Sequence, residues 1–404
     1  MSYYFGLTAA QTAAPALCSL GSVEKALLSA LVHTFRLGVL LAERKLAAPG
    51  AENEAAGPAI DMAAPGAEEC RMYIESAMKS DAAADKLFPL RLTGPAMRFI
   101  TARLPVGLAP LSPMAVFQLC IWRTFAFGNI AHMELLELDL GEGPPVFDLI
   151  ESVVTAWGGP ERIGVPAYGQ LQILKKNVGE MLGLLWGFSQ HLSNTFAIPG
   201  APFTFGKLIA MLTGWGGSPI HAIPQHGLIS WVLTGDFAEY GLCEPATADD
   251  LAEHIINTHA HGARSALSIV ARRAGVAAPA PSDDVGAELS LIFSRVLHVL
   301  QCPPTDAIRE VAGDCQRLQG RAITAVDLEH AFCKIARMES RARRGGARPG
   351  ARAGGKVGGK GKLKKGTKDE GEATEASTRN EPGDEGSESA GTGSSGSKKR
   401  KRRQ

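Results

Sequence analysis

Aromatic residues and paired cysteines are scarce in this chain of 404 residues. Only 6% of the residues are aromatic while 45% are hydrophobic, a balance that favours small helical units. The seven cysteines are odd in number and none lies at C-x-x-C spacing, so neither a disulfide framework nor a zinc site is indicated. The amino terminus has no basic segment ahead of an apolar one, and the most apolar window, 115–131, contains Arg123 and is short for a membrane span. These absences predict a soluble, non-secreted protein in a reducing compartment.

Motifs for catalysis and ligand binding are equally scarce. His254, His259 and His261 are not spaced to place two imidazoles on one helix face, and no cysteine or acidic pair joins them. The glycine-rich run 214–217 lacks the lysine of a phosphate loop, and Asp283 and Asp284 suit a helix start. Because no nucleophile has a matching base, we expect no enzyme, no metal, no cofactor and no small-molecule substrate.

Charge is divided unevenly along the chain, although the formal net charge is only +1. From Arg341 onward there are 18 Lys and Arg residues and 8 Asp and Glu residues, whereas residues 1–340 hold 24 and 33. The first part therefore carries −9 and the second +10. An acidic body is a poor electrostatic partner for nucleic acid, which argues against DNA binding by residues 1–340.

Residues 263–340 have the most specific pattern, which predicts a short helix, a long helix and another short helix. The first helix is basic and closed by Gly275. After Gly320, Thr324 and Asp327 have the T-x-x-D spacing of a capping box. Pro303 and Pro304 must interrupt the long helix. Its apolar residues recur at steps of three and four and predict one buried stripe: Leu289, Ile292, Phe293, Val296, Leu297 and Leu300.

This order of elements, with GRAITAVDLEHA at the second loop, resembles the histone fold of archaeal histones and eukaryotic core histones. The resemblance implies an all-α unit that pairs with a second unit and contacts DNA phosphates through its loops. It makes Arg321 and Thr324 the leading DNA-contact candidates, with Arg272 and Arg273 as a weaker pair near the first loop. The alternative for Arg321 is a solvated arginine beside a capping threonine.

Three further segments precede this one. Segment one, residues 1–80, has one convincing helix from Ser22 to Leu46 and then a flexible loop. Segment two, 81–178, resembles the core histone with a docking extension, and its basic first helix makes Arg98 and Arg103 DNA-contact candidates, although its second loop is acidic where that family has arginine. Segment three, 179–262, places Thr247 and Asp250 77 residues ahead of Thr324 and Asp327, which predicts an internal repeat with segment four, 263–340.

Together the four segments resemble a quadruple histone fusion of the kind carried by some large DNA viruses. The resemblance implies tandem histone folds paired as two handshake dimers. We expect segment one to pair with two and segment three with four, because linkage raises the effective concentration of a neighbour. Substantial β-sheet, or a lack of contact between segments three and four, would contradict this arrangement.

The region 341–404 is of low complexity and is predicted to be a disordered tail with basic and acidic parts. It ends in a cluster that is typical of a nuclear localisation signal, with a non-specific nucleic-acid arm as the alternative. The cluster consists of Lys398, Lys399, Arg400, Lys401, Arg402 and Arg403.

Three functions remain compatible with the sequence. The leading hypothesis is a histone-like protein of the nucleus or the virion that packages double-stranded DNA through non-specific backbone contacts, with other histones or copies of itself as further partners and no membrane contact. The second is a histone-fold adaptor whose acidic body binds histones or transcription factors. The third is a viral nucleocapsid-type structural protein.

Overall fold

The described part of the chain is helical, as predicted. The computed structural model describes Gln11 and residues 13–46, 67–78, 87–106, 111–126, 129–140, 145–156, 178–196, 203–215, 227–257, 261–276 and 285–345. Within these ranges there is no strand, and the one β-bridge joins Phe203 to Cys243. The all-α prediction is therefore confirmed. The predicted disordered tail lies outside the described residues, except for 341–345.

We number the fourteen α-helices of the described ranges α1 to α14. They are α1 Ser22–Leu46, α2 Ala67–Met78, α3 Pro95–Arg103, α4 Pro113–Ile121, α5 Ile130–Leu135, α6 Phe147–Ala156, α7 Val178–Phe196, α8 Phe205–Thr213, α9 Leu228–Glu239, α10 Ala248–Asn257, α11 His261–Arg273, α12 Val285–Gln301, α13 Asp306–Gln319 and α14 Ala325–Gly345. Short 3₁₀ helices cover Pro15–Leu17 and Arg91–Thr93. A π-helical turn, Trp122–Ala126, continues α4.

Helix α1 forms where the sequence predicts it. Glu24 lies in its first turn and accepts a hydrogen bond from the backbone N–H of Gly21, while Arg44 and Lys45 lie in its last turn. Both placements suit the helix dipole. By length and composition Ser22–Lys45 could cross a bilayer, but 78% of its most apolar window is buried inside the protein. The helix therefore serves as a core helix in this fold.

The prolines of segment four end one helix and precede the next. Helix α12 ends at Gln301, α13 begins at Asp306, and the two axes differ by 84°. A proline removes a backbone donor and its ring clashes with the preceding turn, so the helix cannot continue through Pro303 and Pro304. The predicted interruption is confirmed. The apolar stripe stays buried on α12, with Leu297 partly exposed.

Segments two, three and four share one order of helices. Each has a first helix (α3, α7, α11), a pair in the middle (α4–α5, α8–α9, α12–α13) and a last helix (α6, α10, α14). In segments three and four the second member of the pair is followed by a glycine with positive φ, Gly241 and Gly320. Glycine adopts this conformation without the steric cost of a side chain, which makes it a common end signal for helices. Segments three and four thus share the order of four helices, the positive-φ glycine and the T-x-x-D sequence.

Segment one does not pair with segment two as expected. Helix α1 packs mainly on α11 to α14 of segment four, and three ion pairs accompany this contact: Glu24–Arg295 at 3.2 Å, Arg36–Glu310 at 3.9 Å and Glu43–Arg317 at 2.8 Å. Segment two buries α4 against α7 of segment three instead. Residues 114–121 of α4 are all buried and α7 covers this apolar surface, so segment two packs on segment three, its other neighbour in sequence. Helix α1 touches segment two at Gly38, where an added Cβ would lie 2.7 Å from Leu90 Cγ.

Segments three and four are in extensive contact, as predicted. Helix α10 packs along α12, and α9 approaches the start of α14 so closely that a Cβ on Gly235 would lie 3.0 Å from Val326 Cγ1. The described residues up to 345 form one compact unit, and a single apolar core draws residues from all four segments. A smaller apolar cluster joins α1, α2 and residues 87–88.

Candidate nucleic-acid interface

The two T-x-x-D sequences form capping boxes, as their spacing predicts. Before α10 the backbone N–H and hydroxyl of Thr247 donate to Asp250 Oδ2 at 2.8 and 2.7 Å. Before α14 the same groups of Thr324 donate to Asp327 Oδ2 at 2.8 and 3.0 Å. Thr324 therefore uses its hydrogen-bonding groups to start a helix, which agrees with the capping interpretation of this residue.

Arg321, the leading DNA-contact candidate, is paired inside the protein. Its Nε donates to Glu239 Oε2 at 2.7 Å and its Nη1 donates to Asp327 Oδ2 at 2.6 Å. The side chain is 23% exposed. Burial alone would lower the pKa of Arg321, but the charges and hydrogen bonds of Asp327 and Glu239 outweigh it and raise the pKa above its ordinary value. The guanidinium is thus committed to two carboxylates instead of facing solvent.

Three more charged residues, Arg91 and Arg123 of segment two and Asp236 of segment three, extend this contact. Arg91 donates to Glu239 Oε1 and to Asp236 Oδ1, both at 2.5 Å. Arg123 donates from Nε to Asp236 Oδ2 and from Nη2 to Asp236 Oδ1 at 3.1 Å. We call these groups and the Arg321 pairs the ion network: Arg91, Arg123, Asp236, Glu239, Arg321 and Asp327. Three cations face three anions, so the network is electrically balanced.

Local structure aims each member of the ion network inward. The 3₁₀ turn Arg91–Thr93 presents Arg91, and the π-helical turn after α4 presents Arg123. Asp236 and Glu239 stand one turn apart near the carboxyl end of α9. Gly235 lets this turn approach Arg91, whose Nη2 donates to the Gly235 carbonyl at 3.2 Å. The six members of the ion network join segments two, three and four at one place in the fold.

Burial makes this pairing obligatory. The side chains of Asp236 and Asp327 are fully buried and that of Arg91 is 3% exposed. Burial alone would raise the pKa of Asp327, but the charge and hydrogen bonds of Arg321 outweigh it and hold the pKa below its usual value. Burial, followed by the charge of Asp236, raises the pKa of Tyr240, whose hydroxyl donates to the Leu104 carbonyl at 2.5 Å. A buried ion that loses its partner is costly, so each member requires the others.

The other arginine candidates lie elsewhere. Arg272 and Arg273 end α11 and pair with Glu339, at 3.9 and 2.5 Å. Glu339 is about 20 Å along α14 from the capping box, since a helix rises about 1.5 Å per residue. Arg273 is half-buried, whereas the Arg272 side chain is 60% exposed. The structure does not bring this pair together with Arg321 and Thr324.

Arg98 and Arg103 lie on α3. Arg98 is exposed. The Arg103 guanidinium lies 3.5 Å from the centre of the Phe99 ring, and its Nε donates to Glu137 Oε2 at 2.7 Å. Of the predicted DNA contacts, Arg98 and Arg272 are therefore the side chains most accessible to a phosphate. The basic cluster at 398–403, which is predicted to be a localisation signal, lies outside the described residues.

Of the three histidines considered as metal ligands, the structure describes the side chain of His254. His254 is buried and stacks on Trp231 with the ring centres 4.3 Å apart. His259 and the side chain of His261 lie outside the described residues. Among the described residues no group of three or more histidine, cysteine or acidic side chains is placed to hold a metal ion.

Four members of the ion network were not predicted from the sequence. Arg91 and Arg123 stand in apolar surroundings, in the runs LFPLRL and CIWRTF. Asp236 and Glu239 interrupt the apolar helix ISWVLTGDFAEYG. Isolated charges in runs that must be buried signal a partner, because an unpaired buried ion is unfavourable. That signal identifies the four residues but not which of them meet.

Comparison of the chain with protein-family models, with curated proteins and with solved structures finds no match.

Proposed function

We propose that this chain is a histone-like protein that packages double-stranded DNA through non-specific contacts with the phosphate backbone. The observation that carries the proposal is the division of charge, −9 in residues 1–340 and +10 in residues 341–404. The basic region contributes most of the phosphate contacts, because Lys and Arg release the counterions condensed on DNA. On the body, Arg98 and Arg272 contribute further contacts. The packaging takes place in the nucleus, to which 398–403 directs the chain, or in a virion.

The shared helix order supports a histone-like fold for segments two, three and four. In this proposal the two middle helices of each segment stand for one central helix that has been divided, as Pro303 and Pro304 divide it in segment four. The capping boxes before α10 and α14 start the last helix of their segments. Segments three and four meet in two places, where α10 packs on α12 and where α9 approaches the start of α14. In this proposal these two contacts are the two halves of a handshake. Segment one then covers segment four instead of pairing with segment two.

A second function is favoured by the ion network. Arg321, whose position implies phosphate contact, is occupied by Glu239 and Asp327, and the body is acidic. An acidic surface suits basic proteins as partners, because opposite charges raise association rates and favour complementary partners. As an adaptor, the chain binds other histones through its body and uses its basic region only for localisation.

Nuclease protection and salt dependence separate the two functions. The full chain and a chain that ends at Gly345 are compared on duplex DNA, with circular dichroism as the control for folding. For packaging, we expect the full chain to protect a discrete DNA length. Its DNA-binding constant should fall steeply as salt concentration rises. In a plot of the logarithm of the binding constant against the logarithm of salt concentration, each phosphate contact should contribute about −0.9 to the slope. For the shorter chain, the DNA-binding constant should depend only weakly on salt concentration. A full chain that protects no DNA at low salt, yet binds free histones, contradicts packaging and supports the adaptor.

A further inference from the structure

The outward face of α11 carries arginines and hydroxyl groups. Four exposed residues share this face, because a helix has about 3.6 residues per turn and their spacing keeps them on one side. We call them the α11 stripe: Arg264, Ser265, Ser268 and Arg272. Ala266 and Val270 lie on the opposite face and are buried in the core. From Ser265 to Arg272 the stripe extends for about 10 Å, since a helix rises about 1.5 Å per residue.

The α11 stripe contains no carboxylate. The sequence has no Asp or Glu between Glu253 and Asp283, although residues 1–340 carry −9 overall. Glu339 on α14 lies 3.9 Å from Arg272 and pairs more closely with Arg273, at 2.5 Å. The side chain of Arg272 is 60% exposed, and its carboxylate partner is already committed to another arginine.

Two exposed arginines on α13 have closer carboxylate partners. Arg317 Nη2 donates to Glu43 Oε1 at 2.8 Å. Arg309 is as exposed as Arg272, at 60%, but it forms a short ion pair with Asp306. A phosphate that approaches Arg309 or Arg317 must compete with these carboxylates. At Arg272 the competition is weaker.

Neighbouring helices fix the α11 stripe in the body. The Arg264 guanidinium donates to the carbonyl of Ile255 at 2.7 Å and to that of Ile256, both in α10. Near the other end of α11, the pair of Arg273 with Glu339 holds it beside α14. Glu339 is two residues ahead of the tract 341–368, which contains 11 Lys and Arg and no Asp or Glu. The α11 stripe therefore lies beside the helix from which the basic region of the chain begins.

Arginine and serine side chains are common donors to the phosphates of DNA. We propose that the α11 stripe is the surface through which the body binds the DNA backbone. The inference rests on the proposed packaging function, and it assigns the contact to α11 instead of the second loop, where Glu239 and Asp327 occupy Arg321. Along about 10 Å the stripe faces about three phosphates of one strand, which succeed one another at about 3.4 Å along the DNA axis.

The first test removes one charge from matched arginines in the full chain. Binding to duplex DNA is measured as salt concentration varies, and circular dichroism checks that each variant folds. Arg272→Gln should make the slope of the logarithm of the binding constant against the logarithm of salt concentration less steep by about 0.9, the value for one phosphate contact. Arg309→Gln, at the same exposed fraction, is the control and should keep the wild-type slope.

The second test adds a carboxylate instead of removing a cation. Ser265→Glu places the new charge within the α11 stripe and should weaken DNA binding about tenfold at low salt, because it repels the phosphates. Ser294→Glu makes the same change at an exposed position of α12 and should weaken binding by less than about twofold, because screening limits the reach of a distant charge.

The two tests separate the inference from the proposed function. If the full chain binds DNA with a steep salt dependence, but Arg272→Gln keeps that slope or Ser265→Glu binds as Ser294→Glu does, the α11 stripe is not the contact and packaging stands. A full chain that binds no DNA at low salt overturns both.

Discussion

The loops before α10 and α14 begin with the same capping box and differ in what surrounds it. In segment three the Thr247–Asp250 pair is exposed and only starts a helix. In segment four Asp327 is fully buried and also holds Arg321, which reaches Glu239 of the other segment. Spacing along the chain determined the cap in both places. Contacts between segments determined which cap became part of the ion network.

Asp236→Asn is expected to have the largest effect, because it removes the charge that Arg91 and Arg123 share. Breaking a buried ion pair by losing one partner costs about 3–5 kcal/mol. The free energy of unfolding, measured with denaturant, should fall by about this amount. Glu253→Gln, at an exposed position of α10, is the control and should change the free energy of unfolding by no more than about 0.5 kcal/mol. Equal, small effects would show that the network is not buried in solution.

Replacing the aspartate of each capping box by asparagine measures how much more Asp327 contributes to stability than Asp250. Asp327→Asn should cost about 3 kcal/mol, since Arg321 loses a buried partner. Asp250→Asn should cost about 1 kcal/mol or less, as expected for a weakened helix cap. Both values come from denaturant unfolding of the full chain. Similar losses at the two positions would mean that the Arg321 contact adds no stability.

The sixth residues of α14 and α10, His330 and Glu253, make different contributions to the pH dependence of stability. The Nε2–H of His330 on α14 donates a hydrogen bond to the Phe88 carbonyl at 2.8 Å. Burial of this side chain, with the charge of Lys334 next in importance, lowers the pKa of His330 well below the ordinary value. The counterpart on α10 is the exposed Glu253. Below about pH 6.5 the unfolded chain binds a proton at position 330 that the folded chain does not bind, so stability falls as pH falls.

This histidine should contribute about 1.4 kcal/mol of lost stability for each pH unit below about 6.5. Burial of His33 lowers its pKa to about 3, so that residue adds a second proton to the slope. His330→Gln should therefore reduce the slope of unfolding free energy against pH by one proton over pH 5–6.5, and Gln190→Ala, at an exposed position with no titratable group, should leave the slope unchanged. An unchanged slope in His330→Gln would contradict its burial as the neutral form.

The smallest effect is expected from the cap hydroxyls. Thr247→Ala and Thr324→Ala each remove a hydroxyl that donates to the aspartate of its box. Loss of a cap residue costs about 1 kcal/mol. The two losses should agree within about 0.5 kcal/mol by thermal unfolding, because in both boxes the threonine hydroxyl donates to Oδ2 of the aspartate. A much larger loss at Thr324 would show that the threonine also supports the Arg321 contact.

Local patterns predicted much of the fold. The limits of α1, the break at Pro303 and Pro304 and both capping boxes follow from periodicity, proline geometry and spacing. The pairing of segments did not follow, because several apolar stripes could cover one another and chain proximity favoured the wrong partner for segment one. The role of Arg321 also depended on a distant contact, since nothing near it in sequence indicates Glu239. Arg91 and Asp236 are recognisable as buried charges, but their partnership is visible only in three dimensions.

The most direct test concerns Arg321 itself, compared in the full chain with Arg98, the exposed arginine on α3. We expect Arg321→Ala to lower the free energy of unfolding by about 3 kcal/mol, as for a broken buried pair. At a temperature where it is folded, its DNA affinity should keep the wild-type salt slope. Arg98→Ala should leave stability within about 0.5 kcal/mol and reduce the slope by about 0.9 if it contacts a phosphate. An Arg321→Ala protein with wild-type stability and a slope reduced by about 0.9 would contradict the structural role of Arg321 and make it a DNA contact instead.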